Sequence, residues 1–238
     1  MSIVIKSSHG GDFLINDILR HRIISFVGSG GKTTLMFAVA KKLSQLGKKV
    51  IITTSTKIYL PTDYNVVLLD KECLSLAASS LKDDPICVIG SPCPGTGLFE
   101  PQKLCFCEQF GLTPKDFLKV ADFVLIEADG SKHMPLKFPG ENEPVIPAES
   151  DMVIAVAGMW CVGHPISEVC HRYELACRFL SDEYGCYIGP DHKVTKEDVL
   201  RIMNSVHGYR KNVGKRAFLK YIFYDNNHQH KDISSHGL

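Results

Sequence analysis

The sequence lacks a long apolar run and lacks an excess of charge of either sign. No stretch approaches the about 18 consecutive apolar residues that cross a bilayer, so no membrane span is predicted. Lys and Arg number 27 against 26 for Asp and Glu, which gives a formal net charge of +1. This balance excludes a global basic field for nucleic acid or an anionic membrane. We therefore expect neither of them among the partners.

The sequence also lacks the features of a secreted, disulfide-bonded protein. The first residues, from Met1 to Lys6, have neither the basic start nor the long apolar middle of a signal peptide, which predicts a cytoplasmic protein. Nine cysteines are an odd number in a chain of 238 residues, so a disulfide framework is not expected. Cys93, Cys105 and Cys107 lack the paired C-x-x-C spacing of zinc sites. We interpret most cysteines as small apolar core residues.

Strand-like and helix-like patterns alternate along the chain. A β-branched run at 23–27, a glycine-rich turn, a helical pattern at 32–46 and a second run at 50–54 predict a parallel crossover unit. Further strands are predicted at 65–69, 86–89, 123–126, 153–156 and 218–224. Further helices are predicted at 12–20, 71–81, 114–120, 169–181 and 195–207. The alternation predicts a three-layer α/β fold, similar to that of P-loop NTPases, with a mainly parallel sheet.

The positions of the Gly and Pro residues indicate the domain organisation. We predict one nucleotide-binding domain over residues 1–224, with any internal boundary near 144–147. A subregion at 144–216 is a candidate to serve a substrate or partner. Residues 90–97 are rich in Gly and Pro and predict a mobile loop. The polar, His-rich residues 225–238 predict a flexible tail.

The turn between the first predicted strand and helix has the composition of a phosphate-binding loop. Its residues are Gly28, Ser29, Gly30, Gly31, Lys32, Thr33 and Thr34. Glycines let backbone N–H groups surround an anion at a helix N-terminus, and Lys32 adds a charge for the phosphates. The Thr33 hydroxyl is a ligand type that Mg²⁺ accepts. Because Phe26 replaces the first glycine of the usual G-x-x-x-x-G-K-[ST] pattern, the loop resembles the shorter form of Mur-type ligases and of P-loop proteins for metal-centre assembly.

A second element pairs an apolar strand with acids. Residues 123–126 are followed by Glu127 and Asp129. An acid at the end of a strand next to a phosphate loop holds Mg²⁺ directly or through water. We predict Asp129 as a metal ligand with Thr33, and Glu127 as a further metal-linked residue or as the group that orients the nucleophile. The hydroxyl-rich turn that includes Thr54 is predicted beside the loop and is a candidate for binding substrate.

These motifs together resemble the YqeC family. The resemblance rests on residues 28–34 and 53–55, on the Glu-Ala-Asp-Gly-Ser-Lys run at 127–132, on Pro-Leu-Lys at 135–137, on Glu-Pro-Val-Ile-Pro at 143–147, and on His171 and Arg172. It implies a purine-nucleotide-binding accessory protein of selenium-dependent molybdenum hydroxylases, with an apo-hydroxylase or a selenium-handling protein as partner. A guanine-reading Asn-Lys-x-Asp element is missing from residues 220–227, which favours ATP over GTP.

The remaining candidates follow the acidic strand. Lys132, Lys137, Glu143 and His171 are predicted to bind substrate, and Arg172 is predicted to stabilise transferred phosphate charge. The function predicted is Mg²⁺-dependent hydrolysis of ATP or GTP, or transfer of a phosphoryl group. The predicted catalytic residues are Lys32, Glu127, Asp129 and Arg172. The second substrate is an unknown small molecule or cofactor. Two alternatives stay open: a nucleotide-switched partner-binding protein with little turnover, and an ATP-dependent ligase of Mur type. Basic residues at 201–220 are interpreted as a solvated face.

Overall fold

A computed structural model describes residues 3–6, 11–93, 103–106, 111–130 and 133–223. Their helices are α1 (Gly11–Ile18), α2 (Lys32–Gln45), α3 (Cys73–Asp83), α4 (Ile166–Val169), α5 (Tyr173–Tyr184) and α6 (Lys196–Asn204). Their strands are β1 (Ile3–Lys6), β2 (Ile23–Gly28), β3 (Val50–Thr54), β4 (Lys57–Tyr59), β5 (Asn65–Leu68), β6 (Ile86–Pro92), β7 (Lys103–Cys105), β8 (Phe123–Glu127), β9 (Leu136–Lys137), β10 (Met152–Gly158), β11 (Cys170–His171) and β12 (Ala217–Phe223).

The described residues form a ten-stranded, mostly parallel sheet. Nine strands follow the order β1-β12-β10-β2-β8-β3-β6-β7-β4, and β5 pairs with β6. The pairings of β7 with β4 and with β6 are antiparallel. The chain reaches β3 from β2 through α2, and β8 lies between these two strands. The carboxyl ends of β2, β8 and β3 therefore meet at one edge, which is where ligands bind in parallel sheets.

Alternating side chains of the strands pack against helices on both faces of the sheet. On one face, Ile24 and Phe26 of β2 belong to a cluster with α1 and α2. On the second face, Ile23 of β2 belongs to a cluster with α3. On the same face, β10 packs against α4, α5 and α6. Full burial of one such aliphatic or aromatic side chain contributes about 1.5–3 kcal/mol. The predicted three-layer α/β fold with a mainly parallel sheet is confirmed.

Most predicted elements are present with small shifts at their ends. The α6 cap is confirmed: the Thr195 hydroxyl oxygen accepts a hydrogen bond from the Asp198 backbone N–H, and the Asp198 carboxylate accepts one from the Thr195 backbone N–H. The helix predicted at 114–120 is a short 3-10 helix at Asp116–Lys119. The mobile loop predicted at 90–97 is wrong at its start, because residues 90–92 belong to β6. Its remainder after Cys93, and the predicted tail, lie outside the described residues.

The helix predicted at 169–181 is wrong at its N-terminal end. Val169 ends the short helix α4, and Cys170 and His171 form β11. β11 pairs in parallel with β9, placing His171 opposite Lys137. A long-range pairing therefore breaks a segment whose local pattern is helical. None of the described helices is long and apolar enough to cross a membrane.

Cysteine burial agrees with the interpretation of these residues as core thiols. Cys73, Cys87, Cys161, Cys170 and Cys177 are buried free thiols, and Cys186 is exposed. Burial raises the pKa of Cys161 to about 12, so this thiol stays protonated near neutral pH. Cys107 lies outside the described residues. Within those residues, no group of three or more His, Cys, Asp or Glu side chains is arranged to hold a metal ion.

Candidate functional site

A glycine turn joins β2 to α2 at the carboxyl edge of the sheet. Gly28, Gly30 and Gly31 have positive φ angles of 92°, 71° and 99°. A Cβ on Gly30 would come within 2.5 Å of the Gly158 nitrogen and of the Pro135 carbonyl oxygen, so only glycine fits there. Gly31 occupies the N-cap of α2 and has no side chain to satisfy the first helical N–H groups. The turn therefore presents uncapped backbone donors, as an anion site requires.

Lys32 lies at the start of α2 and is 3% exposed. Its Nζ lies 2.8 Å from Asp129 Oδ1 and 3.4 Å from Glu127 Oε1. It also donates a hydrogen bond to the Asp129 carbonyl oxygen. Burial alone would lower the pKa of Lys32, but the charges of Asp129 and Glu127 outweigh it and raise the pKa above 10.5. The site therefore favours the charged form of the Lys32 ammonium group next to the glycine turn.

Thr33 and Glu127 form a second contact between the turn and the acidic strand. The Thr33 hydroxyl donates to Glu127 Oε2 at 2.6 Å. Glu127 ends β8 and stands in register with Phe26 of β2 and Thr54 of β3. A hydroxyl and a carboxylate at this spacing suit Mg²⁺, which binds one or two protein oxygens and completes its shell with phosphates and water. The residues present therefore fit a magnesium–phosphate complex.

Asp129 connects the turn to a second buried lysine. One of its carboxylate oxygens, Oδ2, accepts the Gly28 backbone N–H at 3.0 Å. The same oxygen lies 3.2 Å from the Nζ of Lys137, whose side chain is fully buried. Lys137 also donates to the Gly130 carbonyl oxygen at 2.7 Å and to Glu143 Oε2 at 2.8 Å. Asp129 is thus held between two lysines and the turn itself.

Arg172 completes this charged network. Both terminal nitrogens of its guanidinium donate to the Glu143 carboxylate, at 2.5 and 2.8 Å. Burial would raise the pKa of Glu143, but hydrogen bonds from Arg172 and Lys137 prevail and lower it to about 2. Arg172 is the N-cap of α5 and has a left-handed φ of 62°. The network is a continuous run of alternating charge from Lys32 through Asp129, Lys137 and Glu143 to Arg172.

The structure brings most of the candidate residues together. Thr54 joins them, because its hydroxyl donates to the Glu127 carbonyl oxygen at 2.9 Å. His171 approaches through its backbone, which accepts a hydrogen bond from Phe138. Thr34 is exposed on the first turn of α2. Lys132 lies outside the described residues, as do Tyr224 to Asn227, so the guanine-reading region is not described beyond β12.

Tyr209 is a site residue that the sequence does not reveal. It is almost fully buried, and its hydroxyl accepts the Lys137 backbone N–H at 3.2 Å. Its ring would lie 2.7 Å from a Cβ on Gly28. Tyr209 therefore supports both the glycine turn and β9. It follows α6 by five residues in a turn-rich segment, and no local pattern marks it as different from other tyrosines.

Comparison with known proteins identifies the family of this chain. The family model described as "YqeC protein" matches residues 24–174. The chain belongs to the YqeC family. It is 34% identical over 200 residues to "Uncharacterized protein YqeC" of Escherichia coli (strain K12), covering 82% of the chain and 72% of that protein. No solved structure matches the chain. The family match spans the network from Gly28 to Arg172, and neither description names an activity.

Proposed function

We propose that this YqeC-family chain is a Mg²⁺-dependent purine-nucleotide-binding protein that hydrolyses a nucleoside triphosphate or transfers its terminal phosphoryl group. One observation carries the proposal. Lys32 and Thr33, at the uncapped start of α2, contact Asp129 and Glu127 at the carboxyl end of the neighbouring strand β8. A phosphate-binding turn, a buried cation and a hydroxyl–carboxylate pair thus occupy one small region at the edge of the sheet.

The proposed binding step exchanges partners within this region. The phosphates would accept hydrogen bonds from the turn and draw the Lys32 ammonium group away from Asp129 and Glu127. Thr33 and Glu127 would face the metal ion, which neutralises phosphate charge. Asp129 would remain fixed by Lys137 and by the Gly28 N–H, and it would position the turn. In this assignment Glu127, rather than Asp129, is the acid beside the metal ion.

Hydrolysis then needs no covalent intermediate. A water oxygen forms a bond to the terminal phosphorus, and the bond from that phosphorus to the bridging oxygen breaks. The products are the nucleoside diphosphate and inorganic phosphate, and the proton is released to solvent. Lys32 and the backbone N–H groups of the turn would stabilise the charge that develops on the phosphoryl oxygens.

A second candidate, a nucleotide-switched partner-binding protein, is favoured by the charged network. The network links the Lys32 site to Arg172 at the start of α5, so a change in the partners of Lys32 has a physical route to that helix. For either candidate, the family resemblance suggests maturation of a selenium-dependent molybdenum hydroxylase as the setting. The proposed partner is then the apo-hydroxylase or a selenium-handling protein.

Calorimetric titration with Mg–ATP and Mg–GTP tests the proposal. We expect the Lys32→Ala variant to bind at least about 10-fold more weakly than the unchanged chain, because a charge-assisted contact to phosphate contributes about 1.5–3 kcal/mol. Lys41→Ala, an exposed position on the same helix, is the matched control. Circular dichroism verifies that both variants are folded. Equal affinities for the Lys32→Ala variant and the unchanged chain would overturn the proposal.

A further inference from the structure

A cavity of about 620 Å³ lies next to the candidate nucleotide site, between the carboxyl ends of β3 and β8 and two loop segments. Its floor contains Thr54 and Ile126, and its walls come from residues 111–114 and 145–149. Pockets for small organic ligands have volumes of about 300–1,000 Å³. We infer that this cavity binds the second substrate, and that this substrate is an uncharged, ring-containing organic molecule with N–H or O–H donors. The inference rests on the proposed function, because that function leaves the second substrate unnamed.

The charge of the described part of the lining disfavours an anionic ligand. Glu149 is the one charged residue among the described residues that line the cavity, and none of them is Lys, Arg or His. A phosphate or carboxylate buried there would lack a counter-charge and would face a carboxylate. The cations Lys32, Lys137 and Arg172 are instead all engaged in the neighbouring network. The two neighbouring sites therefore differ in the charge that they accept.

The hydroxyl groups of the lining indicate which polar groups the ligand carries. Thr53 donates to the Ile89 carbonyl oxygen at 2.8 Å, Thr54 to that of Glu127 at 2.9 Å, and Ser55 to that of Val145 at 2.5 Å. Each hydroxyl proton is thus already used within the protein. Thr53 and Thr54 are almost fully buried, whereas Ser55 is partly exposed and its oxygen keeps a lone pair that can accept a hydrogen bond from a ligand. The ligand must then supply the donors.

The apolar part of the lining favours a flat ring. Phe106, Leu112, Pro114 and Pro147 supply aromatic and aliphatic surface. The Phe106 ring is held edge-on against the fully buried Phe117, with centroids 6.2 Å apart and planes at 81°. An aromatic wall fixed in this way offers a surface for stacking.

Arg216 and Asn212 fix the loop that forms one wall of the cavity. The Arg216 guanidinium donates to the Ser150 carbonyl oxygen at 2.9 Å and to those of Pro147 and Ala148 at 3.3 Å. Asn212 donates to the Pro144 carbonyl oxygen at 3.0 Å. The interpretation of residues 201–220 as a solvated face is therefore wrong for Arg216. A wall held in place before binding lowers the ordering cost of the ligand.

The cavity also has a direct structural connection to the candidate nucleotide site. Ile126 in its floor directly precedes Glu127, and consecutive strand residues point to opposite faces. Ser55 of the lining donates its backbone N–H to the Glu127 carbonyl oxygen at 3.0 Å. The cavity therefore lies across the end of β8 from the Glu127 carboxylate, within one residue of the proposed phosphate chemistry.

A matched pair of probes tests the inference. Indole-3-carboxamide and indole-3-carboxylate have the same ring and nearly the same shape, but only the carboxamide is uncharged at neutral pH. Saturation-transfer NMR with the full chain should show carboxamide binding, with the carboxylate at least about 10-fold weaker. Glu149→Lys should reduce this preference, since it replaces the anion of the lining by a cation. Glu141→Lys, an exposed position outside the lining, should leave the preference unchanged.

Three results would overturn the inference: no transfer to either probe, equal affinity for both, or a preference that Glu149→Lys does not alter. Circular dichroism shows whether each variant is folded. Val145→Trp places a much larger side chain in the lining and provides a second variant, which should abolish carboxamide binding. Nucleotide affinity of the unchanged chain is measured separately. Its absence would refute the proposed function, whereas the probe results bear on the cavity alone.

Discussion

Glu143 offers the sharpest test of the charged network, because its carboxylate is where Lys137 and Arg172 meet. Lowering its pKa from 4.5 to about 2 corresponds to about 3 kcal/mol of stabilisation at neutral pH. The Glu143 side chain is 22% exposed, so solvent screens this contribution only in part. A lowered carboxyl pKa stabilises the fold fully above pH 4.5, and the stabilisation is lost as the pH falls toward 2. At pH 3.5 about 2 kcal/mol of it should remain.

We therefore expect Glu143→Gln to lower the free energy of unfolding by about 3 kcal/mol at pH 7 and by about 2 kcal/mol at pH 3.5. Urea unfolding followed by circular dichroism measures both values. Glu141→Gln, an exposed neighbour in the same loop, should change stability by less than about 0.5 kcal/mol at either pH. A Glu143→Gln loss below about 1 kcal/mol at pH 7, or a loss independent of pH, would refute the argument.

Two further predictions concern the glycine turn and the thiols. Gly30→Ala should lower the free energy of unfolding by about 1–3 kcal/mol more than Gly47→Ala, measured by urea unfolding. Both glycines have positive φ, but a Cβ meets backbone atoms only at Gly30, so equal losses would contradict the reasoning. Iodoacetamide at pH 8 should modify exposed Cys186 before Cys161 and Cys170, whose pKa burial raises. Peptide mass spectrometry gives the order of modification, and unfolding in urea should abolish the difference between the thiols. Equal rates in the native chain would contradict the prediction.

The crossover unit was predictable because its signals are local. A β-branched run ending at Gly28, a turn with three glycines and a helical pattern from Lys32 each act within a few residues. The position of the acids was predictable for a related reason. Parallel strands place their carboxyl ends at one edge, so Glu127 had to lie near the turn once β8 was recognised as a strand.

Other features depend on contacts between distant segments, and no local pattern reports them. Residues 169–171 have a helical pattern, yet pairing with β9 places Cys170 and His171 in a strand. Tyr209 supports Gly28 across 181 positions of the chain, and Arg216 binds the carbonyl of Ser150. Carbonyl acceptors belong to every residue, so the sequence does not indicate which of them a basic side chain will bind.

The network also bears on how the enzyme and switch candidates differ. In the structure, the three cations Lys32, Lys137 and Arg172 are balanced by Glu127, Asp129 and Glu143. A bound triphosphate would draw Lys32 away from Asp129 and leave Lys137 as the one cation of the network beside Asp129. The contact of Lys137 with Glu143 would then weaken. The effect reaches Arg172 only if Glu143 changes partners. Glu143→Gln should therefore uncouple α5 from the nucleotide while leaving Lys32 and Thr33 in place. Lost partner binding with retained hydrolysis would favour the switch. Lost hydrolysis would favour an enzyme in which Arg172 acts on the phosphate.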